Sequence, residues 1–102
     1  MTDATQTNNN ANDVRKVLDS RGKVHGDFTF QASVSQALTG AFRLAQVERR
    51  KANLPDLTPT MAEAMEMILH KAARIAAGDA DFKDHWVDIA GYATLQADRC
   101  SK

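Results

Sequence analysis

The ten residues Asp84-His85-Trp86-Val87-Asp88-Ile89-Ala90-Gly91-Tyr92-Ala93 bring two carboxylates, an imidazole, an indole and a phenol into a stretch that otherwise reads as helix. Side chains four apart share a helix face, so Asp84, Asp88 and Tyr92 fall in line, and Ile89, Ala90 and Ala93 mark the side available for burial. Carboxylates in line are the raw material of a divalent-cation site or of proton transfer. Lys71 and Arg74, three apart, share a face of the preceding helical segment. A short connection makes the two segments antiparallel, which brings both cations within side-chain reach of Asp84 and Asp88. Two readings follow. One is an interhelical salt-bridge network, worth little where exposed. The other is a site in which Lys71 and Arg74 take phosphates while Asp84 and Asp88 hold a metal and serve catalysis.

Glu63 and Glu66 add a second acidic pair, at i and i+3 in the first turns of the same helix as Lys71. Acids there favour the helix dipole. They are also the oxygen ligands that Mg²⁺ prefers, commonly in company with substrate phosphates. Antiparallel packing sets Glu63 opposite the later part of the next helix, nearer Asp88 and Tyr92 than Asp84. A site using Glu63, Glu66, Asp84 and Asp88 together therefore needs a partner helix or a dimer interface.

His25-Gly26-Asp27-Phe28 precedes a long helical segment. Gly26 permits positive φ or close backbone approach. Asp27 is a natural helix cap, or with His25 it closes a ligand pocket. His70 and His85 read as packing or surface residues. Tyr92 and Trp86 have faces on which a base could stack, although Trp86 also suits a core anchor. Gly91 inside a helix costs about 1 kcal/mol against Ala, which points to close helix–helix approach. There is no His-Glu-x-x-His pattern, and Cys100 has no thiol partner, so zinc is disfavoured. Glycine-rich phosphate loops of the P-loop or dinucleotide-binding kind are missing too, and nothing marks a nucleophile elbow.

The elements that must position these groups follow from periodicity. A short helix is expected from about Asp13 to Ser20, with Val14, Val17 and Leu18 on one face, followed by a loop at 21–27. A second helix spans about Thr29 to Ala52, its stripe Phe30, Val34, Ala37, Leu38, Ala41, Phe42 and Ala45. Thr58-Pro59 is a strong start signal, a capping hydroxyl with proline at the first helical position. The third helix presents Met61, Met65, Ile68, Leu69, Ala72, Ile75 and Ala76, and Gly78 ends it as a left-handed residue. Asp79 or Asp81 caps a fourth helix running to about Ala97, with Phe82, Trp86, Ile89, Ala90, Ala93 and Ala97 inward. No stretch alternates with period two. The expected fold is all-α, a compact antiparallel bundle of about four helices.

Residues 1–12 carry little that is apolar and three consecutive Asn, so they read as a disordered tail ahead of one helical domain at 13–102. A domain of that size builds only a modest core, for which a homo-oligomer is the expected remedy. Lys plus Arg and Asp plus Glu both number 13, giving net charge +0. That balance argues against duplex nucleic acid as partner, because such binders carry a basic excess. The basic run Arg49-Arg50-Lys51 closes a helix, where cations favour the dipole. No apolar run approaches the roughly 18 residues of a membrane span, and no signal-peptide pattern is present. With a lone cysteine these features point to a cytoplasmic protein.

His25-Gly26-Asp27-Phe28, Lys71-Ala72-Ala73-Arg74-Ile75 and Asp84 through Ala93, in that order, resemble a family of small phage and prophage proteins carrying a domain of unknown function. The resemblance covers about residues 20 to 97. The layout is similar to a nucleotide-modification-associated phage family and, more distantly, to the MazG-like all-α nucleoside triphosphate pyrophosphatases. In the MazG-like enzymes Glu-x-x-Glu on one helix and Glu-x-x-Asp on the next bind Mg²⁺ and activate water. Glu63-x-x-Glu66 matches the first half. The second half departs, because Asp84-x-x-x-Asp88 replaces it and His85 stands three before Asp88. The resemblance thus implies a phage-type protein in the host cytoplasm that binds a nucleotide or nucleotide-derived ligand, with hydrolysis to monophosphate and pyrophosphate as its enzymatic form. The competing expectation is a non-enzymatic interaction protein that inhibits a host protein or sequesters a nucleotide signal. A helix-turn-helix DNA reader is disfavoured, since no short helix pair bears a basic recognition face.

Overall fold

Local capping chemistry divides the chain into four helices in the computed structural model, which describes residues 4–102, with side chains from Ala11 onward. They are α1 (Ala4–His25), α2 (Phe28–Lys51), α3 (Pro59–Ala77) and α4 (Lys83–Ala97), and no strand occurs among the described residues. The chain is an all-α helical bundle. Residues 1–3 of the expected tail lie outside the described residues. Helix α1 extends further than periodicity indicated, through Gly22 to His25. His25 is thus a helix-terminal residue, and the connection to α2 is only Gly26-Asp27. At Gly26 φ is +87°, so this glycine, with its N–H on the Gly22 carbonyl at 2.9 Å, ends α1 in the left-handed conformation. Asp27 caps α2, accepting the Phe30 N–H at 3.0 Å.

The end of α2 is a Schellman turn. Leu54 N–H reaches the Arg49 carbonyl at 3.1 Å, Asn53 N–H reaches Arg50 at 3.0 Å, and Asn53 takes φ 61°. The basic run is used up locally. Both Arg50 donors reach the Asp56 carboxylate at 3.1 Å, Arg49 bonds the Pro55 carbonyl, and Lys51 meets Glu48 at 3.3 Å. The hydrogen bond from Arg50, then its charge, holds Asp56 below the usual carboxylate range. Thr58 caps α3 with Pro59 at its first position, as the sequence indicates.

Two expectations at the α3–α4 connection give way. Gly78 is not left-handed (φ −128°, ψ −139°), and Phe82 is the N-cap of α4, with no side-chain cap bond. Asp79 instead closes an Asx turn on Asp81 N–H at 3.0 Å, and Trp86 Nε1 donates to the Ala80 carbonyl at 2.8 Å, pinning the loop to the first turn of α4.

Helix α3 lies between α2 and α4, antiparallel to both, and α2 and α4 do not approach each other. Arg43–Glu66 at 3.2 Å ties α2 to α3, and Lys71–Asp88 at 3.0 Å ties α3 to α4. Only α3 is therefore flanked on two sides, and the only buried hydrophobic residues among those described are its Ala64 and Ala73. The helices on either side expose much of what was expected inside. Phe30, Ala37, Ala41 and Ala45 of α2 are exposed, while Gln31 is buried. In α4 Trp86, Ala90, Ala93 and Ala97 are exposed, and His85, Asp88, Ile89, Tyr92 and Gln96 turn toward α3. Hydrophobicity alone therefore does not fix the rotation of either helix. Gly91 likewise faces open space rather than a neighbouring helix.

Candidate functional site

Two turns meet where the site forms. A Cβ on Gly26 would collide with the Ala77 carbonyl, and one on Gly78 with the backbone of Val24 and His25. The α1–α2 and α3–α4 connections therefore cross at two glycines, and Asp79 N–H donates to the Val24 carbonyl at 2.8 Å to fasten them. This crossing sets the last residue of α1 over the first turn of α4. His25 Nδ1 lies 3.4 Å from His85 Nε2, with ring centroids 5.0 Å apart. His85 is 1% exposed, and Phe82 packs edge-on against it at 5.1 Å between centroids.

The surroundings of this imidazole pair are cationic. Burial first, then the charge of Arg74, then His85, Lys71 and Arg21, pushes His25 below the ordinary histidine range. His70 is lowered in the same way, by burial and then by Arg74 and Lys71. Lys71 is 12% exposed and pairs with Asp88 at 3.0 Å. The Nε of Arg74 is buried and has no hydrogen-bond partner. A buried donor without an acceptor is costly, and for a guanidinium the strongest acceptor is an anion. The arrangement can thus take a phosphate or carboxylate group, with Arg74 and Lys71 as fixed cations and the imidazoles as donors.

The structure brings together Lys71, Arg74, Asp88 and His25 from the residues singled out in the sequence. Asp27 serves as the α2 cap. Asp84 is exposed in the first turn of α4. Glu66 is held by Arg43. Glu63 and Tyr92 line a separate groove of about 210 Å³ further along α3 and α4, with Thr60, Leu95, Gln96 and Arg99. Among the described residues no three His, Cys, Asp or Glu side chains converge as a metal would require. With Glu66 and Asp88 already paired to cations, the acids of one chain do not fit a divalent cation. His85 was missed as a site residue. Its signal was its spacing, three before Asp88 and seven before Tyr92, which places all three on one helix face.

No protein-family model, no curated protein and no solved structure matches this chain. No helix among the described residues is long and apolar enough to cross a membrane.

Proposed function

We propose that the protein binds a phosphate-bearing ligand of the nucleotide class, its anionic end held by Arg74, Lys71, His25 and His85. One observation carries the reading: the buried, unpartnered Nε of Arg74 close to the pair formed by the half-buried His25 and the buried His85. The balance of charge supports it, because Lys71, Arg74 and Arg21 bear on His25 and the carboxylate paired within this group is that of Asp88. An anion supplies the missing acceptor and offsets the crowding of cations. The enzymatic form, Mg²⁺-dependent pyrophosphohydrolysis through Glu63, Glu66, Asp84 and Asp88, draws no support from the acids of a single chain, so the proposal is one of binding.

Thermal melting against nucleoside triphosphates, monophosphates, pyrophosphate and sulfate, each with and without Mg²⁺, tests it. A ligand that binds only the folded state raises the melting temperature. The expected result is a rise with phosphate-bearing ligands that Arg74→Gln removes. No rise with any of them overturns the proposal. A rise that strictly requires Mg²⁺ returns the acids to consideration. A second reading, an interaction protein docking on a host protein, is favoured by the exposed Trp86, Val87 and Leu95 of α4. It predicts that Arg74→Gln leaves partner binding unchanged.

A further inference from the structure

Helix α1 is held to the bundle at one end. Every described side chain from Ala11 to Lys23 is exposed, and only Val24 and His25, its last two residues, are half-buried. Most helical stability in proteins comes from packing rather than from intrinsic propensity, and α1 has little of either. Asn8, Asn9, Asn10, Asn12 and Gly22, all poor helix formers, lie within it. Its position and the order of its last turns therefore rest on whatever holds Val24 and His25.

Three contacts hold them. The Val24 carbonyl accepts the Asp79 N–H at 2.8 Å. The backbones around Gly26 and Gly78 close in until neither glycine has room for a Cβ. His25 faces His85 at 3.4 Å. Docking also concentrates positive charge. It sets His25, with Arg21 of its own helix, against Lys71 and Arg74 of α3 and His85 of α4. Lys71 is met by the Asp88 carboxylate, while the buried Nε of Arg74 has no partner. An anion at this point offsets the charge and bonds to groups from three helices at once.

We propose that the anion site gates α1. An anion held by Arg74, Lys71, His25 and His85 fastens the end of α1 to α3 and α4, and its departure frees α1 to swing about Gly26 and to fray. The gating rests on the anion-binding reading above and gives that site an output, an ordering of one segment driven by a ligand. The coupling is reciprocal, so whatever pulls α1 away weakens the anion by the same factor.

Hydrogen exchange of the Asp79 amide in the full chain, followed by NMR, reads the docking bond directly. The Leu54 amide, bonded to the Arg49 carbonyl in the turn after α2, serves as the reference away from the site. Sulfate is the probe, compared with chloride at equal ionic strength and fixed pH. At ten times its Kd, an anion that binds only the docked state lowers the undocked population about elevenfold. Asp79 exchange should slow by about that factor, Leu54 exchange should not, and Arg74→Gln should abolish the slowing. Tryptic cutting after Arg21 and Lys23 should slow in parallel. A rise in melting temperature with sulfate while Asp79 exchange stays unchanged means that the site binds an anion without gating α1, and overturns this proposal alone. Equal slowing at Asp79 and Leu54 means that the whole fold is stabilised, and overturns it as well. If neither melting nor exchange responds, the anion-binding reading falls and the gating falls with it.

Discussion

His25 Nδ1 and His85 Nε2 face each other at 3.4 Å although the two residues lie 60 positions apart in the chain. At that separation a hydrogen bond requires one ring to donate and the other to accept, so the pair holds together when neutral or singly protonated and is opposed when both rings are charged. Arg74 and Lys71 add to that opposition.

Stability should fall on acidification through His25 and His70. His25 and His70 both titrate below the ordinary histidine value, about 6.5 in the unfolded chain. The unfolded state then takes up protons first as pH drops. Their contribution is complete above about pH 6.5 and is lost as pH falls through the folded values. Melting temperatures measured from pH 8 to 5 should decline at the acid end, and His25→Gln with His70→Gln should flatten that decline. Superimposable profiles for the two proteins would remove the histidines from the account.

Anion binding should run in the opposite direction with pH. An anion beside His25 favours its protonated form, so by linkage protonation favours the anion. Sulfate keeps its charge across this range and isolates the effect. It should raise the melting temperature more at pH 6 than at pH 8. At ten times its Kd it should stabilise by about 1.4 kcal/mol, or about 6–11 °C for a domain of this size. A shift equal at both pH values would show that the imidazoles take no part.

The two interhelical ion pairs should differ in weight. Lys71 is 12% exposed, whereas Arg43 is 65% exposed and its partner Glu66 33%. Asp88→Asn strands a largely buried cation and should cost about 1–3 kcal/mol in denaturant unfolding. Glu66→Gln, at an exposed pair, should cost less than about 1 kcal/mol. Asp88→Asn is accordingly a destabilising change before it is a test of chemistry, and any activity assay on it needs a stability measurement beside it. Equal costs for the two variants would refute the distinction.

Gly26→Ala and Gly78→Ala should both be destabilising, for different reasons. Gly26 sits at φ +87°, which costs an L residue about 1–2 kcal/mol before any contact is considered. Its Cβ would also meet the Ala77 carbonyl, and a Cβ on Gly78 would meet Val24 and His25. Each variant should move the histidines apart, visible as a changed His25 proton resonance and as a weaker sulfate response. Gly22→Ala, which meets nothing, should leave both unchanged. A Gly78→Ala protein with native stability would contradict the close crossing of the two turns.

The amino-acid sequence by itself determined the helices and most of their ends. Thr58-Pro59 starts α3, Asp27 caps α2, and the absence of any period-two stretch excludes a sheet, because these are local effects of backbone capping and periodicity. Short connections also made α3 and α4 antiparallel, so the meeting of Lys71 with Asp88 was legible in advance. The rotation of α2 and α4 about their axes was decided only by tertiary packing. In α2 the uncharged run Phe28–Phe42 offers several apolar faces, and in α4 the side chains turned toward α3 include His85, Asp88, Tyr92 and Gln96 while Trp86 and Ala93 face outward. Where hydrophobicity does not fix a helix's rotation, ion pairing and close glycine crossings settle it. The pairing of His25 with His85 belongs to this second kind. It depends on a long-range approach of two turns through Gly26 and Gly78, and no local pattern in either segment specifies it.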